Sequence, residues 1–105
     1  MQADKKILAE IKKRVLLVEP DAKVILYGSY ARGDANEDSD IDLLILIGRS
    51  KLDYADKRRI SYPLYDLGFE TGQIISTLIQ TNKKWEEEFY FTPLFHNIQK
   101  DGIEI

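Results

Sequence analysis

Residues 26–44 carry the pattern that decides the fold: LYGSYARGDANEDSDIDLL. This stretch begins inside an apolar, β-branched segment (Lys23–Tyr27), crosses a polar loop (residues 33–39) and enters a second apolar run (residues 40–47). Two short strands joined by such a loop predict a small sheet. Because residues 43–47 are apolar at every position, we expect the second strand to be central and buried on both faces.

Helical patterns precede and follow this pair of strands. Apolar residues at helical spacing predict a first helix over residues 3–18, closed by Pro20. Residues 29–32 have room for one helical turn. Residues 50–53 have the spacing of a capping box and open another helix towards Leu67, which Pro63 should kink or end early.

The last third of the chain predicts one more strand and two helical segments. The strand covers residues 73–79, and the helical segments cover residues 85–91 and 92–100. The predicted order is α-β-β-α-β-α. We therefore expect an α/β (α+β) fold, with one small mixed sheet covered by helices, in a single domain of residues 1–105.

Composition excludes several classes of function. The net charge of −3 does not favour binding of an extended nucleic acid. The chain has no cysteine and a single histidine, His96, so a metal ion would need oxygen ligands, which suit Mg²⁺. The first residues, MQADKK, lack a signal-peptide pattern and the apolar runs are too short to span a bilayer, so we expect a cytoplasmic protein without a membrane segment.

Gly28 and Ser29 stand where the first strand turns into the short helical segment. Glycine lets a ligand approach the backbone, and a helix start offers free N–H groups to an anion. Ser29 adds a hydroxyl donor. The pair therefore predicts a phosphate contact, while an ordinary tight turn would produce the same two residues.

Asp40 and Asp42 lie two positions apart at the start of the second strand. Side chains at this spacing point the same way, with Cα atoms about 6.5 Å apart. Two carboxylates so placed repel each other, and divalent cations would compensate them; two solvated charges at a strand edge are the alternative. Arg32, one helical turn beyond Ser29, could meet phosphate, neutralise these carboxylates or form a structural salt bridge.

Together these residues resemble the signature of the DNA polymerase β-type nucleotidyltransferases, Gly-Ser-x-Ala-Arg-Gly followed by Ser-Asp-x-Asp-Leu. The two parts are residues 28–33 and residues 39–43. The small size and the first helix are similar to the minimal nucleotidyltransferase branch, whose members often pair with a helical HEPN-type protein.

The resemblance implies a role for each matched residue. Gly28 and Ser29 would hold the β- and γ-phosphates of a nucleoside triphosphate, with Arg32 and Ser39 as further nucleotide contacts. Asp40 and Asp42 would bind two Mg²⁺ ions that bridge the triphosphate. A hydroxyl group would then attack the α-phosphorus, and pyrophosphate would leave.

The third carboxylate of the family pattern is missing from the expected strand. Residues 73–79 contain no acid, and Ser76 occupies the nearest equivalent position. Glu70 is the closest acid that could substitute for it. A missing base and metal ligand would cost on the order of 10²–10⁴-fold in rate.

Two main functions remain open. The first is an enzyme that moves a nucleoside monophosphate, with ATP as the expected donor, to a hydroxyl such as a tyrosine of a HEPN-type toxin partner, which would make the chain an antitoxin. The second is a catalytically degenerate module that binds a nucleotide or a partner and regulates by contact. A structural subunit of a larger transferase is a weaker third hypothesis.

Overall fold

The computed structural model describes residues 4–105, in which four strands form one mixed sheet and five helices cover it. The strands are β1 (Lys23–Tyr27), β2 (Ile41–Ile47), β3 (Ile75–Thr81) and β4 (Ile103–Glu104). The helices are α1 (Lys5–Val18), α2 (Ser29–Arg32), α3 (Tyr54–Thr71), α4 (Asn82–Glu88) and α5 (Pro93–Asp101). The strand order is β3-β2-β1-β4; β2 runs parallel to β3, and β1 is antiparallel to both of its neighbours. The predicted fold class, a mixed sheet covered by helices, is confirmed.

Strand β2 is buried on both faces because helices pack against each side of it. One face carries α1 and α3, and the other carries α4 and α5. Alternate residues of β2 therefore supply two apolar clusters. Ile41, Leu43, Ile45 and Ile47 pack with α1 and α3, while Leu44 and Leu46 pack with Trp85 of α4 and Ile98 of α5.

Four ionised side chains join the end of α1, the loop after β2 and the start of α3. Glu19 Oε1 accepts from Arg49 at 3.1 Å and from Arg59 at 3.0 Å. Asp56 Oδ1 lies 3.2 Å and 3.5 Å from the same two guanidinium groups. The hydrogen bond from the Asp53 backbone, followed by the charge of Arg49, lowers the pKa of Asp56. This charge network ties together the end of the sheet that lies away from Asp42.

The observed strands differ from the prediction in three ways. The third strand runs over Ile75–Thr81 rather than residues 73–79, because the Gln73 N–H donates to the Gly68 carbonyl and closes α3 instead. The fourth strand, β4, was not predicted, since two residues carry no periodic pattern and form a strand only by pairing with β1. Asp40 directly precedes β2, which begins at Ile41.

The helices also differ from the prediction at their ends. Helix α3 is capped by Asp53, in a reciprocal capping box with Asp56, and not by Ser50. It continues through Pro63 to Thr71, so the predicted early end is wrong. The segments predicted at residues 85–91 and 92–100 are α4 and α5, displaced by a few residues. The helical turn at Ser29–Arg32 is confirmed, and Ala3, predicted to start the first helix, lies outside the described residues.

Across residues 4–105, no helix combines the length and the apolar sequence that crossing a bilayer requires.

Candidate functional site

The antiparallel pairing of β1 with β2 builds the centre of the candidate site. Tyr27, the last residue of β1, lies opposite Asp42, the second residue of β2. The chain then turns at Gly28, whose φ of 75° is strained for any residue with a side chain. A β-carbon at Gly28 would overlap the Asp42 Oδ2 atom. Glycine is therefore required at position 28 for two reasons: the backbone conformation excludes a side chain, and the Asp42 carboxylate occupies the space that a side chain would need.

The short helix α2 continues directly from this turn. The Gly28 carbonyl accepts from the N–H groups of Ala31 and Arg32, both at 3.1 Å, and Gly33 closes the helix with φ 82°. Ala35 is buried and anchors the loop that returns to β2. The first N–H groups of such a turn have no intrahelical partner, which makes them available to a ligand.

A cavity of about 360 Å³ opens beside this turn. One wall is formed by the end of β1, the start of α2 and Asp42, and the opposite wall is a single face of α5. The first wall consists of Tyr27, Gly28, Ser29, Arg32 and Asp42, and the second of Leu94, Asn97, Ile98 and Asp101. The cavity thus brings together four of the residues that the sequence singled out.

Asp40 and Ser76 lie next to the carboxylate of Asp42. Ser76 is in register with Asp42 on the neighbouring strand β3, and its hydroxyl donates to Asp40 Oδ2 at 3.5 Å. Ser76 therefore lies on the same sheet face as Asp42. Within residues 4–105, no three His, Cys, Asp or Glu side chains converge closely enough to hold a metal ion by themselves.

The electrostatics of the site are dominated by Asp42. Burial raises the pKa of this carboxyl, the negative charge of Asp40 raises it further, and the positive charge of Arg32 opposes both. Burial, followed by the charge of Asp42, raises the pKa of Tyr27. Arg32 also pairs with Asp34 at 3.2 Å, so its guanidinium only partly offsets the acidic pair. The site as it stands holds more negative charge than its own residues neutralise.

Two residues that the sequence proposed for the site, Ser39 and Glu70, do not line the cavity. The Ser39 hydroxyl accepts from the Asn36 backbone N–H at 2.9 Å, which closes the loop before β2. Glu70 accepts from Arg14 of α1 at 3.2 Å, on the sheet face opposite Asp42. The structure does not bring Glu70 to the cavity, so Ser76 is the better placed of the two third-acid candidates.

The wall formed by α5 was not predicted from the sequence. Its residues Leu94, Asn97 and Asp101 follow one another at helical spacing, which places them on one face. Nothing in their local sequence links them to Gly28, some 70 positions earlier in the chain. His96, on the same helix, is exposed and does not line the cavity.

Comparison with known proteins matches most of this chain to one family. The sequence model of the nucleotidyltransferase domain family matches residues 4–98. A Methanocaldococcus jannaschii protein named "Putative protein adenylyltransferase" is 33% identical over 85 residues, which cover 76% of this chain and 73% of that protein. A second protein of the same name and organism is 51% identical over 43 residues, but the match spans only 43% of its length. A Pseudomonas putida "Bifunctional uridylyltransferase/uridylyl-removing enzyme" is 40% identical over 57 residues, covering 52% of this chain and 6% of the enzyme.

Solved structures share the fold at low sequence identity. A Sulfolobus solfataricus structure described as a putative nucleotidyltransferase superposes with a TM-score of 0.62 at 22% identity, covering 94% of this chain and 76% of that one. A toxin-antitoxin structure with AMP-PNP superposes with a TM-score of 0.64 at 16% identity, covering 97% of this chain and 72% of that one.

We expect Asp42→Asn to stabilise the isolated chain at neutral pH in the absence of divalent cations. The pKa of Asp42 is raised, so the folded state favours the protonated carboxyl and ionisation opposes folding as the pH rises through that pKa. The gain should shrink as the pH falls from the raised pKa towards the ordinary carboxyl value of 3.8, and it should vanish below 3.8, where both states are protonated. Thermal unfolding of both proteins across this pH range measures the effect; a less stable variant at pH 7 would contradict it.

Proposed function

The chain belongs to the nucleotidyltransferase domain family, and we propose that it transfers a nucleoside monophosphate from a triphosphate to a hydroxyl group. One observation carries the proposal: the Gly28–Ser29 turn is held against the Asp42 carboxylate at a cavity of about 360 Å³. The volume falls within the range of small-ligand pockets. Relatives named as adenylyl- and uridylyltransferases support nucleotide transfer, and the two adenylyltransferase names favour ATP as the donor.

We assign the triphosphate to the first wall of the cavity. Gly28 leaves the backbone bare where phosphates would approach, and the Ser29 hydroxyl and the guanidinium of Arg32 are donors on the same wall. Across the cavity, Asn97 and Asp101 offer hydrogen-bonding groups to the nucleoside. The nucleotide would thus lie between α2 and α5.

The residues present suit Mg²⁺. The acidic pair and its neighbour Ser76 offer only oxygen donors, which this ion prefers, and a partly buried Asp42 beside a like charge needs a compensating cation. Asp40 and Asp42 would hold the ions, and since no third acid joins them within residues 4–105, phosphate oxygens and water would complete the coordination. Bound Mg²⁺ supplies neutralisation of the phosphate charge and a lower pKa for the attacking hydroxyl.

The transfer is a displacement at the α-phosphorus. The acceptor oxygen forms a bond to this atom, the bond to the oxygen that bridges to the β-phosphate breaks, and pyrophosphate leaves with that electron pair. The acceptor proton passes to solvent, because Ser76 has no basic group to receive it at neutral pH. The chain's own contribution is to position the triphosphate beside the carboxylates of Asp40 and Asp42.

For the acceptor we propose a tyrosine on a helical, HEPN-type toxin partner, which would make this chain an antitoxin. The cavity opens to the surface, where a side chain of a partner protein would reach it. The names of the two M. jannaschii relatives specify protein adenylylation, and a toxin-antitoxin structure shares the fold.

A second candidate function is a degenerate module that binds nucleotide or partner without turnover. Ser76 favours it, because the residue in register with Asp42 is a hydroxyl and no third carboxylate joins the acidic pair within residues 4–105. The intact pair of Asp40 and Asp42 favours the enzyme. Both candidates use the same cavity, so only an assay of transfer separates them.

We expect this chain, incubated with Mg²⁺ and [α-³²P]ATP, to label a protein in an extract of the source cells. [γ-³²P]ATP should not label that protein. The α-phosphate stays with the product and the γ-phosphate leaves in pyrophosphate, so the two labels distinguish nucleotidyl transfer from phosphorylation. Labelling should disappear with the double variant Asp40→Asn/Asp42→Asn. An unlabelled extract, with ATP binding retained in the parent chain, would support the binding module instead.

Gly28→Ala should abolish binding of Mg-ATP, whereas Gly33→Ala should leave it nearly unchanged. Gly33 (φ 82°, ψ 12°) lies in the left-handed region, where alanine costs about 1–2 kcal/mol in stability. Gly28 (φ 75°, ψ −156°) lies in a region open almost solely to glycine, so Gly28→Ala should destabilise the fold more than Gly33→Ala. Only at Gly28 would the new β-carbon displace Asp42, since nothing lies within 4 Å of it at Gly33. Isothermal titration together with urea unfolding tests the pair, and equal affinities would remove Gly28 from the site.

Ser76→Asp should raise the rate of transfer, by up to the 10²–10⁴-fold that a general base contributes. The new carboxylate would stand beside Asp40 and Asp42 on the same sheet face. Glu70→Gln is the matched control, because Glu70 pairs with Arg14 on the opposite face and its loss should leave the rate unchanged. Loss of labelling in Glu70→Gln, with no effect of Ser76→Asp, would reverse the assignment.

A further inference from the structure

A stripe of aromatic side chains is exposed along one side of α3. Tyr54, Tyr62, Tyr65 and Phe69 follow one another at spacings of eight, three and four residues, and Phe69 is 93% exposed. Ile74, just beyond the helix, extends the stripe and is 64% exposed. Contiguous apolar surface of this kind usually marks a site of association.

The stripe borders the open edge of the sheet. Among residues 4–105, strand β3 pairs only with β2, and its sequence, ISTLIQT, contains none of the charges or prolines that usually protect an edge. The Ile74 carbonyl accepts from the Ile41 N–H, so by alternation Ile75, Thr77 and Ile79 aim their backbone groups outward. The hydroxyls of Tyr65 and Thr77 share a hydrogen bond of 3.1 Å. Stripe and edge thus form one surface, which we call the β3 edge face.

Two opposite charges flank the middle of the stripe. Arg58 stacks on the ring of Tyr54 at 4.8 Å, and Asp66 is exposed one turn beyond Tyr62. Neither forms an ion pair within residues 4–105. Eight residues of helix separate them by about 12 Å, so they cannot meet within one chain. Tyr62 lies midway between them.

We propose that the β3 edge face binds a second copy of this chain. The copies would be related by a twofold axis perpendicular to the sheet, with β3 antiparallel to β3 of the copy and Tyr62 near the axis. The two sheets would become one of eight strands, and α3 would pack antiparallel to its copy. This arrangement places Arg58 of each chain opposite Asp66 of the other.

Self-complementarity favours a copy over an unrelated protein. A twofold contact must match each feature with one at the same distance on the other side of the axis. Arg58 and Asp66 lie equally far from Tyr62 along the helix and satisfy this rule. Phe69 and Ala55 satisfy it as well, so that a large exposed side chain of one copy meets a small exposed side chain of the other. The candidate site lies on the α4–α5 face at the start of β2 and stays open in the dimer, so the proposal is independent of the proposed function.

A charge exchange tests the contact. Sedimentation of the full chain over a concentration series should show a monomer–dimer equilibrium. Arg58→Asp alone and Asp66→Arg alone each set like charges opposite one another twice in the dimer, which should weaken association at least about tenfold. The double variant Arg58→Asp/Asp66→Arg should restore it, and so should an equimolar mixture of the two single variants. Lys100→Asp on α5 is the matched control and should leave association unchanged.

Strand pairing has its own readout. Backbone amides of Thr77 and Ile79 should exchange with deuterium more slowly as the concentration rises, because pairing covers this edge. A chain that stays monomeric over the whole series would overturn the proposal. Single variants that weaken association without rescue by the double variant or the mixture would overturn it as well.

Discussion

The burial of β2 on both faces is the constraint on which the rest of the structure depends. Leu43, Leu44 and Ile45 have no exposed surface, so the strand must lie between two layers of helices. Polar residues can then occur only at its ends. The acidic pair stands at the first end, where Asp42 still belongs to the strand and shares its rigidity. The position of the carboxylate is thereby set by the apolar core rather than by a flexible loop.

The two faces of the sheet divide the tasks of the molecule. On the α4–α5 side, helix α5 remains far enough from the strand ends to leave a cavity over Asp42. On the other side, α1 and α3 cover the centre of the sheet, and the exposed side of α3 is the surface of the proposed dimer. Pairing at β3 would change neither wall of the cavity. Assembly and chemistry can therefore vary independently in this fold.

Local patterns were enough to predict the fold class, the strand Lys23–Tyr27 and the turn at Gly28–Ser29. These depend on residues that are neighbours in the chain. Features formed by distant segments were not predictable: β4 exists only by pairing with β1, and the α5 wall faces Gly28 across some 70 positions of sequence. Glu70 was a reasonable candidate by distance along the chain, but the turn at Gly72 leaves it on the opposite face of the sheet. The early end predicted at Pro63 was wrong because the packing of Ile60, Leu64 and Leu67 outweighs the loss of a single backbone hydrogen bond.

The charge network of Glu19, Arg49, Asp56 and Arg59 has a consequence for heating. The cost of removing ions from water falls as the temperature rises, so such a network keeps its contribution to stability when the molecule is warmed. Around Asp40 and Asp42, residues 4–105 form only the single ion pair of Arg32 with Asp34, and the loop before β2 is closed by the contacts of Ser39 with Asn36. Thermal motion should therefore grow first around the carboxylates, while the far end stays ordered. A protein built in this way softens where a substrate must enter and exit, and holds its shape elsewhere.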